Sequence, residues 1–332
     1  MRLAQLEHSR HGRRLAVVEG DRLRVLASNR TAYQLAIAAI EQGAKLADLV
    51  AADRGNEQFE YDAIYRGESD WKILTAFDHP EDPAFCLVSG TGLTHKASAE
   101  NRSKMHQPEP SAITDSMRMY QWGIEGGKPP KGAVGVQPEW FYKGNGSILR
   151  AHGEELTLPA FGDDGGEEPE VAGAYLIAPD GTPYLVGLMT GNEFSDHVME
   201  RKNYLYLAPS KLRECAIGPE LIVGEEFEEI DGKVSVERNG ATLWSKEILT
   251  GQRNMSHSTA NLEHHHFKYP AHRRPGDVHI HFFGADAFSF GAGVALQPGD
   301  VMVVDWPPLG RPLRNILRAE AKPEAMVTVE RL

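Results

Sequence analysis

Two glutamates one residue apart, Glu168-Pro169-Glu170, run straight into the apolar stretch VAGAYLI. On a strand, residues i and i+2 project to the same face. Both carboxylates then lie beside a run that should be buried. There they repel each other and lose hydration unless something positive joins them. A hard divalent cation such as Mg²⁺ takes oxygen ligands of this kind and keeps waters that a substrate can displace. A solvated acidic strand start is the other reading of the same residues. Glu193 follows Gly191-Asn192 at the end of a second apolar run, YLVGLMT. It can supply a third carboxylate, or it can cap a turn. Asp196 and His197 follow on what would be the first turn of a helix.

Two lysines belong to the same stretch of chain. Lys143 comes directly after Trp140-Phe141-Tyr142. A lysine held against aromatic surface is desolvated and loses basicity, which suits a general base or an oxyanion partner. A lysine snorkelling to solvent is the alternative. Lys211 precedes an apolar run leading to Gly218-Pro219. A second cation near three carboxylates would balance charge or bind the carboxylate of an acid substrate. Two histidine groups stand apart. Adjacent His264, His265 and His266 cannot share a helix face, and only the first and third share a strand face. With no acidic or thiol ligands spaced around them, they read as a polar strand or subunit-contact segment, not a transition-metal site. His279 and His281 share one strand face just before Gly284-Ala285-Asp286.

Short β elements must position these groups. RRLAVVEGDRLRVL is two strands around Glu19-Gly20-Asp21. The stretch from Thr31 to Ala52 has helical apolar spacing, is interrupted at Gly43 and is capped by Asn29 or Thr31. DHPEDPAF near Pro80 reads as a linker. From Ala84 onward short runs such as FCLVSG, ELIVG and VMVVDW alternate with Gly/Pro turns, which predicts a mostly β domain with a few short helices. The 332 residues fit two domains at about 150 residues each.

Composition excludes several function classes. A net charge of −12 without a basic stripe argues against nucleic acid and anionic membrane as partners. No apolar run approaches the roughly 18 residues of a membrane span, and the first residues lack the apolar segment of a secretory signal. Cys86 and Cys215 form no disulfide framework, which points to the cytoplasm. There is no P-loop, no G-x-G-x-x-G after a strand, no G-x-S-x-G and no C-x-x-C.

The order is lysine in an aromatic context, E-x-E, G-N-acid-x-S, then lysine followed by G-P. Pro298-Gly299-Asp300 and Leu313-Arg314-Asn315 come after it. Over about residues 84–320 this order resembles the fumarylacetoacetate hydrolase superfamily. The resemblance implies an α+β fold, a mixed β-sandwich or β-roll. A small α+β N-terminal domain (1–80) would precede a catalytic domain (84–332). It also implies Glu168, Glu170 and Glu193 as ligands of Mg²⁺ or Mn²⁺, Lys143 and Lys211 as active-site lysines, a 2-oxo acid substrate and a homodimer.

Three departures refine the resemblance. The third ligand is Glu193 where the family usually has Asp. The G-T-P loop reads Gly284-Ala285-Asp286, without the threonine hydroxyl. At the family's His–Glu pair, an ungapped alignment places Ser98 and Asn101, neither of which is a general base at neutral pH. A shifted pairing, His95 with Glu100, has poor spacing for one helix face. VSGTGL, PEWFYK, EPE and NYLYLAPSK are more similar to the branch that dehydrates 2-keto-3-deoxy sugar acids. The implied activity is a metal-dependent hydro-lyase working through a metal-stabilised enolate, with a lysine of lowered pKa as base. Ser98, Asn192, Gly284 and Ala285 fall on the substrate side, and 92–130 has the polar, Gly/Pro-bearing composition of a lid. The alternatives are a C–C hydrolase or decarboxylase of 2,4-diketo acids, using His95 and Glu100, and an inactive metal-binding relative.

Overall fold

A computed structural model describes residues 1–106, 113–224 and 227–332. Strands Gly12–Glu19 and Arg22–Leu26 form the expected hairpin, with Gly20 in the left-handed region at its turn (φ 63°). The periodic stretch after it is two helices, Ala32–Gln42 and Leu46–Ala52. Thr31 caps the first in a reciprocal box with Gln34, and left-handed Gly43 ends it.

A further strand, Arg2–His8, pairs with Gly12–Glu19 on one side and, on the other, with Leu221–Ile222 at its start and Trp71–Ile73 at its end. It joins the first 80 residues to the rest in one sheet of 13 strands. From Arg2–His8 the order runs through Leu221–Ile222, Pro183–Asn192, Pro169–Ile177, Val278–Phe282 and Cys86–Gly90 to Phe141–Asn145. A second sheet of five strands is built from Ala241–Thr250, Ile230–Arg238, Val301–Asp305, Leu313–Ala319 and Glu155–Leu158.

The strand Pro169–Ile177 is buried along its whole length. Val171, Tyr175 and Ile177 pack in one core with Val234, Met302, Val304 and Leu313 of the second sheet. Ala172, Ala174 and Leu176 pack in another with Leu35 and Ala36 of the N-terminal helix. Both faces are covered, which explains the unbroken apolar run. The same covering denies water to a carboxylate at the strand's start.

The triple histidine is not a strand. It lies in helix Thr259–Phe267, capped by Ser258, with His265 and His266 buried beside Leu262. Imidazoles occupy positions where a helix of ordinary apolar periodicity carries hydrocarbon, so spacing alone hides it. Of the lid expected at 92–130, residues 107–112 lie outside the described residues; helices Lys96–His106 and Asp115–Gly126 flank them. Among the described residues no helix is long and apolar enough to cross a membrane.

Candidate active site

Strand pairing brings the acids together. Pro169 stands opposite Asn192 and Glu170 opposite Gly191. The start of one strand therefore meets the end of its neighbour, and Glu193 lies one residue beyond. Its N–H donates to the Glu168 carbonyl at 2.9 Å. The side chains of Glu168, Glu170 and Glu193 are buried, and each offers an oxygen within 4.8 Å of the others.

Their surroundings differ. Burial drives the Glu170 carboxyl well above the usual range, and the charges of Glu193 and Glu168 add to this, against one N–H bond from Gly284 at 2.7 Å. Burial also raises Glu193, with Lys143 and Lys211 pulling the other way. For Glu168 the opposing groups win. Burial is outweighed by Lys211 and His197, which hold it well below the usual range.

Both lysines point inward with every N–H committed. Lys143, on strand Phe141–Asn145, donates to Glu193 and to the carbonyls of Phe194 and Lys211, each at 2.9 Å. Lys211, ending the short helix Leu207–Lys211, donates to Glu168 and Glu193 at 2.7 Å and to Ser195 Oγ at 3.0 Å. Its ammonium also lies over the Phe141 ring, 4.8 Å from the centroid. The expected loss of basicity does not hold for Lys211. Burial pulls its pKa down, but Glu168 and Glu193 outweigh this and leave it above the ordinary lysine value.

The remaining expected residues have other duties. Asn192 Oδ1 accepts from Glu168 N–H at 3.3 Å, so its amide positions a carboxylate. Gly284 spends its N–H on Glu170. A Cβ at Gly284 would come within 2.0 Å of Thr94 Oγ1, and φ is +99°. Ala285 is buried beside it, and Asp286 accepts from Leu249 N–H at 3.1 Å. Ser98 is buried on helix Lys96–His106. His95 and Glu100 do not form a dyad. The two His95 nitrogens meet the hydroxyls of Thr94 (2.9 Å) and Thr250 (3.0 Å), and burial takes its pKa down to about 3. Glu100 is half-exposed, with Lys96 3.7 Å away.

Arg102 and Glu167 had no signal in the sequence, whereas Ser195 and His197 lay within patterns it shows. Arg102 is buried on helix Lys96–His106, bonds to Glu139 at 2.6 Å and pairs with Glu200. Its partners are distant in sequence, and its own helix is polar, so nothing local marks it. Glu167 caps the 3₁₀ turn Ser289–Ala292 through the N–H (2.6 Å) and hydroxyl (2.8 Å) of Ser289. Ser195, in the G-N-acid-x-S pattern, donates to Glu193 at 3.0 Å. His197, at the expected helix start, reaches Glu168 Oε1 through Nε2 at 3.1 Å.

The two sheets give the chain the fold of fumarylacetoacetate hydrolase-type enzymes. No protein-family model matches it. The fold is shared with a hexagonal crystal form of 2-keto-3-deoxyarabinonate dehydratase, at a TM-score of 0.72 and 18% identity, covering 97% of this chain and 100% of that one. The structure of 2-keto-3-deoxy-D-arabinonate dehydratase complexed with magnesium and 2,5-dioxopentanoate matches at 0.70, with the same identity and coverage. A 5-carboxymethyl-2-hydroxymuconate delta-isomerase from Mycobacterium smegmatis matches at 0.57 and 14% identity, over 96% of this chain and 100% of that one. Among curated proteins, a probable 2-keto-3-deoxyxylonate dehydratase of Haloferax volcanii is 27% identical over 121 residues. That match spans 35% of this chain and 40% of the relative.

Proposed function

We propose that the protein is a divalent-cation-dependent hydro-lyase that removes water from a 2-keto-3-deoxy sugar acid of the pentonate type. The observation that carries this is the buried triad Glu168, Glu170 and Glu193 facing the buried ammoniums of Lys143 and Lys211. The names of the dehydratases with this fold, and of the partial curated match, support the same substrate class.

The donor set suits the cation. Three carboxylate oxygens without nitrogen or sulfur favour a hard ion, Mg²⁺ or Mn²⁺. Three carboxylates against two ammoniums leave one negative charge. A divalent cation together with a substrate carboxylate restores neutrality. Bound there, the cation would polarise the keto group of a 2-oxo acid and so acidify its C3–H.

The chain's own residues do the rest. Lys143 fixes Glu193 and the backbone carbonyls of Phe194 and Lys211. Lys211 holds its proton at Nζ between Glu168 and Glu193, so it acts as a donor and not as the base. As the C4–O bond breaks, Lys211 delivers the proton that turns departing hydroxide into water, while the C3 proton passes to solvent water, from which Lys211 is reprotonated. The C–C hydrolase reading lacks a base of the required kind, because His95 is enclosed by hydroxyls and Glu100 lies with Lys96.

The reading includes a homodimer in the cytoplasm, serving sugar-acid breakdown. The family resemblance supports the homodimer, and two buried free cysteines are consistent with a reducing compartment. Sedimentation velocity tests the dimer. Turnover by metal-stripped protein with Mg²⁺ added back tests the chemistry, with 2-keto-3-deoxypentonates and 2,4-diketo acids offered in parallel. Loss of one water to a 2-oxo semialdehyde supports the proposal. Pyruvate plus a short acid would replace it with the hydrolase.

A further inference from the structure

Two of the three clustered carboxylates have an evident orienting donor. Glu170 has the Gly284 N–H, and Glu193 has the Ser195 hydroxyl. For Glu168 the candidate besides Lys211 is His197. Its Nε2 is 3.1 Å from Glu168 Oε1, the oxygen that also takes Lys211. An ionised carboxylate only accepts, so Nε2 carries the hydrogen.

The imidazole is held in an unusual way. Its Nδ1 is buried and has no hydrogen-bond partner among the described residues; the nearest acid oxygen, on Asp164, is 3.9 Å away. A second hydrogen bond therefore does not set the ring's orientation. Stacking does. The Phe288 ring lies parallel to it within 6° at 4.7 Å, and Phe290 within 22° at 5.1 Å. The Gly166 backbone closes on Nδ1, where a Cβ would come within 2.7 Å. The backbone is equally fixed. His197 opens helix His197–Lys202, whose N-cap, Asp196, accepts from Met199 N–H at 2.8 Å and from Arg213 at 3.0 Å.

We propose that His197 is a positioning residue for the cation site, and that the Phe288/Phe290 slot sets how tightly the site binds its ion. This rests on the metal-site reading above. With the ring unable to turn, Glu168 keeps one orientation toward Glu170 and Glu193. Loosening the slot lets the carboxylate swing toward Lys211, and cation affinity falls.

The test is Mn²⁺ titration, followed by electron paramagnetic resonance, of wild type, Glu170→Gln, His197→Phe, His197→Gln and Phe288→Leu. Circular dichroism melts confirm folding. His197→Phe should weaken Mn²⁺ binding by about 10–100-fold, as loss of an orienting partner does elsewhere. His197→Gln restores an N–H donor and should recover most of that loss. Phe288→Leu, which keeps the hydrogen bond, should weaken binding several-fold and guards against a misfolded Phe variant. Wild-type affinity in both His197→Phe and Phe288→Leu overturns the inference. Equal losses in the Gln and Phe variants also overturn it, by showing a packing role only. A wild type that binds no Mn²⁺, or one unaffected by Glu170→Gln, overturns the metal-site reading itself.

Discussion

Lys143 donates from Nζ to the backbone carbonyl of Lys211, 2.9 Å away, so one lysine fixes the position from which the other reaches the carboxylates. This separates their roles. Lys143→Met strips Glu193 of a buried partner and takes the donor from the Phe194 carbonyl, while the Lys211 carbonyl keeps the Arg213 N–H. Removing one member of a buried pair costs about 3–5 kcal/mol. Urea denaturation should show a loss of that size. Unchanged stability would mean that Glu193 is protonated or solvated.

Lys211→Met should cut turnover about 10²–10⁴-fold, the usual scale for losing a positioned proton donor. Steady-state kinetics on the 2-keto-3-deoxypentonate checks this. Turnover within a few-fold of wild type would remove Lys211 from the chemistry.

Cation binding should tighten as pH rises. Burial and the neighbouring carboxylates lift the pKa of Glu170, so part of the metal-free protein carries a proton there. A ligand must be deprotonated, and binding therefore releases that proton. Below the raised pKa, affinity should gain about tenfold per pH unit for one proton. Calorimetry in buffers of different ionisation enthalpy reads the released proton directly. A flat pH profile, or one unchanged by Glu170→Gln, contradicts it.

The four-histidine core predicts acid lability. His266 meets His279 at 2.9 Å, His281 meets Ser89 (2.9 Å) and Thr91 (2.7 Å), and His272 packs against His266. Burial takes His279 and His281 down to about 3 and His266 well below its ordinary value. The neighbours acting on them are other imidazoles, with no carboxylate to compensate. The folded pKa values lie below the unfolded value of about 6.5. Their contribution is therefore complete above that pH and is lost as pH falls toward 3. Each group gives a slope of up to about 1.4 kcal/mol per pH unit. Melting temperature between pH 7.5 and 5 should drop steeply, and less so in His266→Phe.

Arg102→Leu should leave Glu139 and Glu200 buried without their cation. Removing one member of a buried pair costs about 3–5 kcal/mol, and because Arg102 ties helix Lys96–His106 to Glu139 and Glu200, that helix should detach before the fold is lost. Limited proteolysis would then cut within 96–106 in the variant first. Identical cleavage patterns would show that other contacts hold the helix.

The carboxylate site was legible because strand parity and chain order report on it. Glu168 and Glu170 share a face by their spacing, and the register places Glu193 beside them. The behaviour of Lys211 was not legible. The sequence implies one lysine of lowered pKa without saying which, whereas Lys211 is decided by two carboxylates brought beside it from the ends of neighbouring strands. Arg102 shows the same limit, since a buried ion pair is defined by partners far along the chain. Strand Arg2–His8 escaped notice because its burial runs through consecutive residues, with Gln5 among them.

That strand sets an order of events during synthesis. Arg2 pairs with Ile222 and Leu3 with Leu221, so the sheet cannot close until the ribosome has made some 220 further residues. At about 5–20 residues per second, the wait is roughly 10–40 s. Trp71–Ile73 covers Leu6 to His8 of that edge early, but until Leu221–Ile222 arrives the Arg2–Leu3 end has no strand beside it, a natural binding surface for a holdase chaperone.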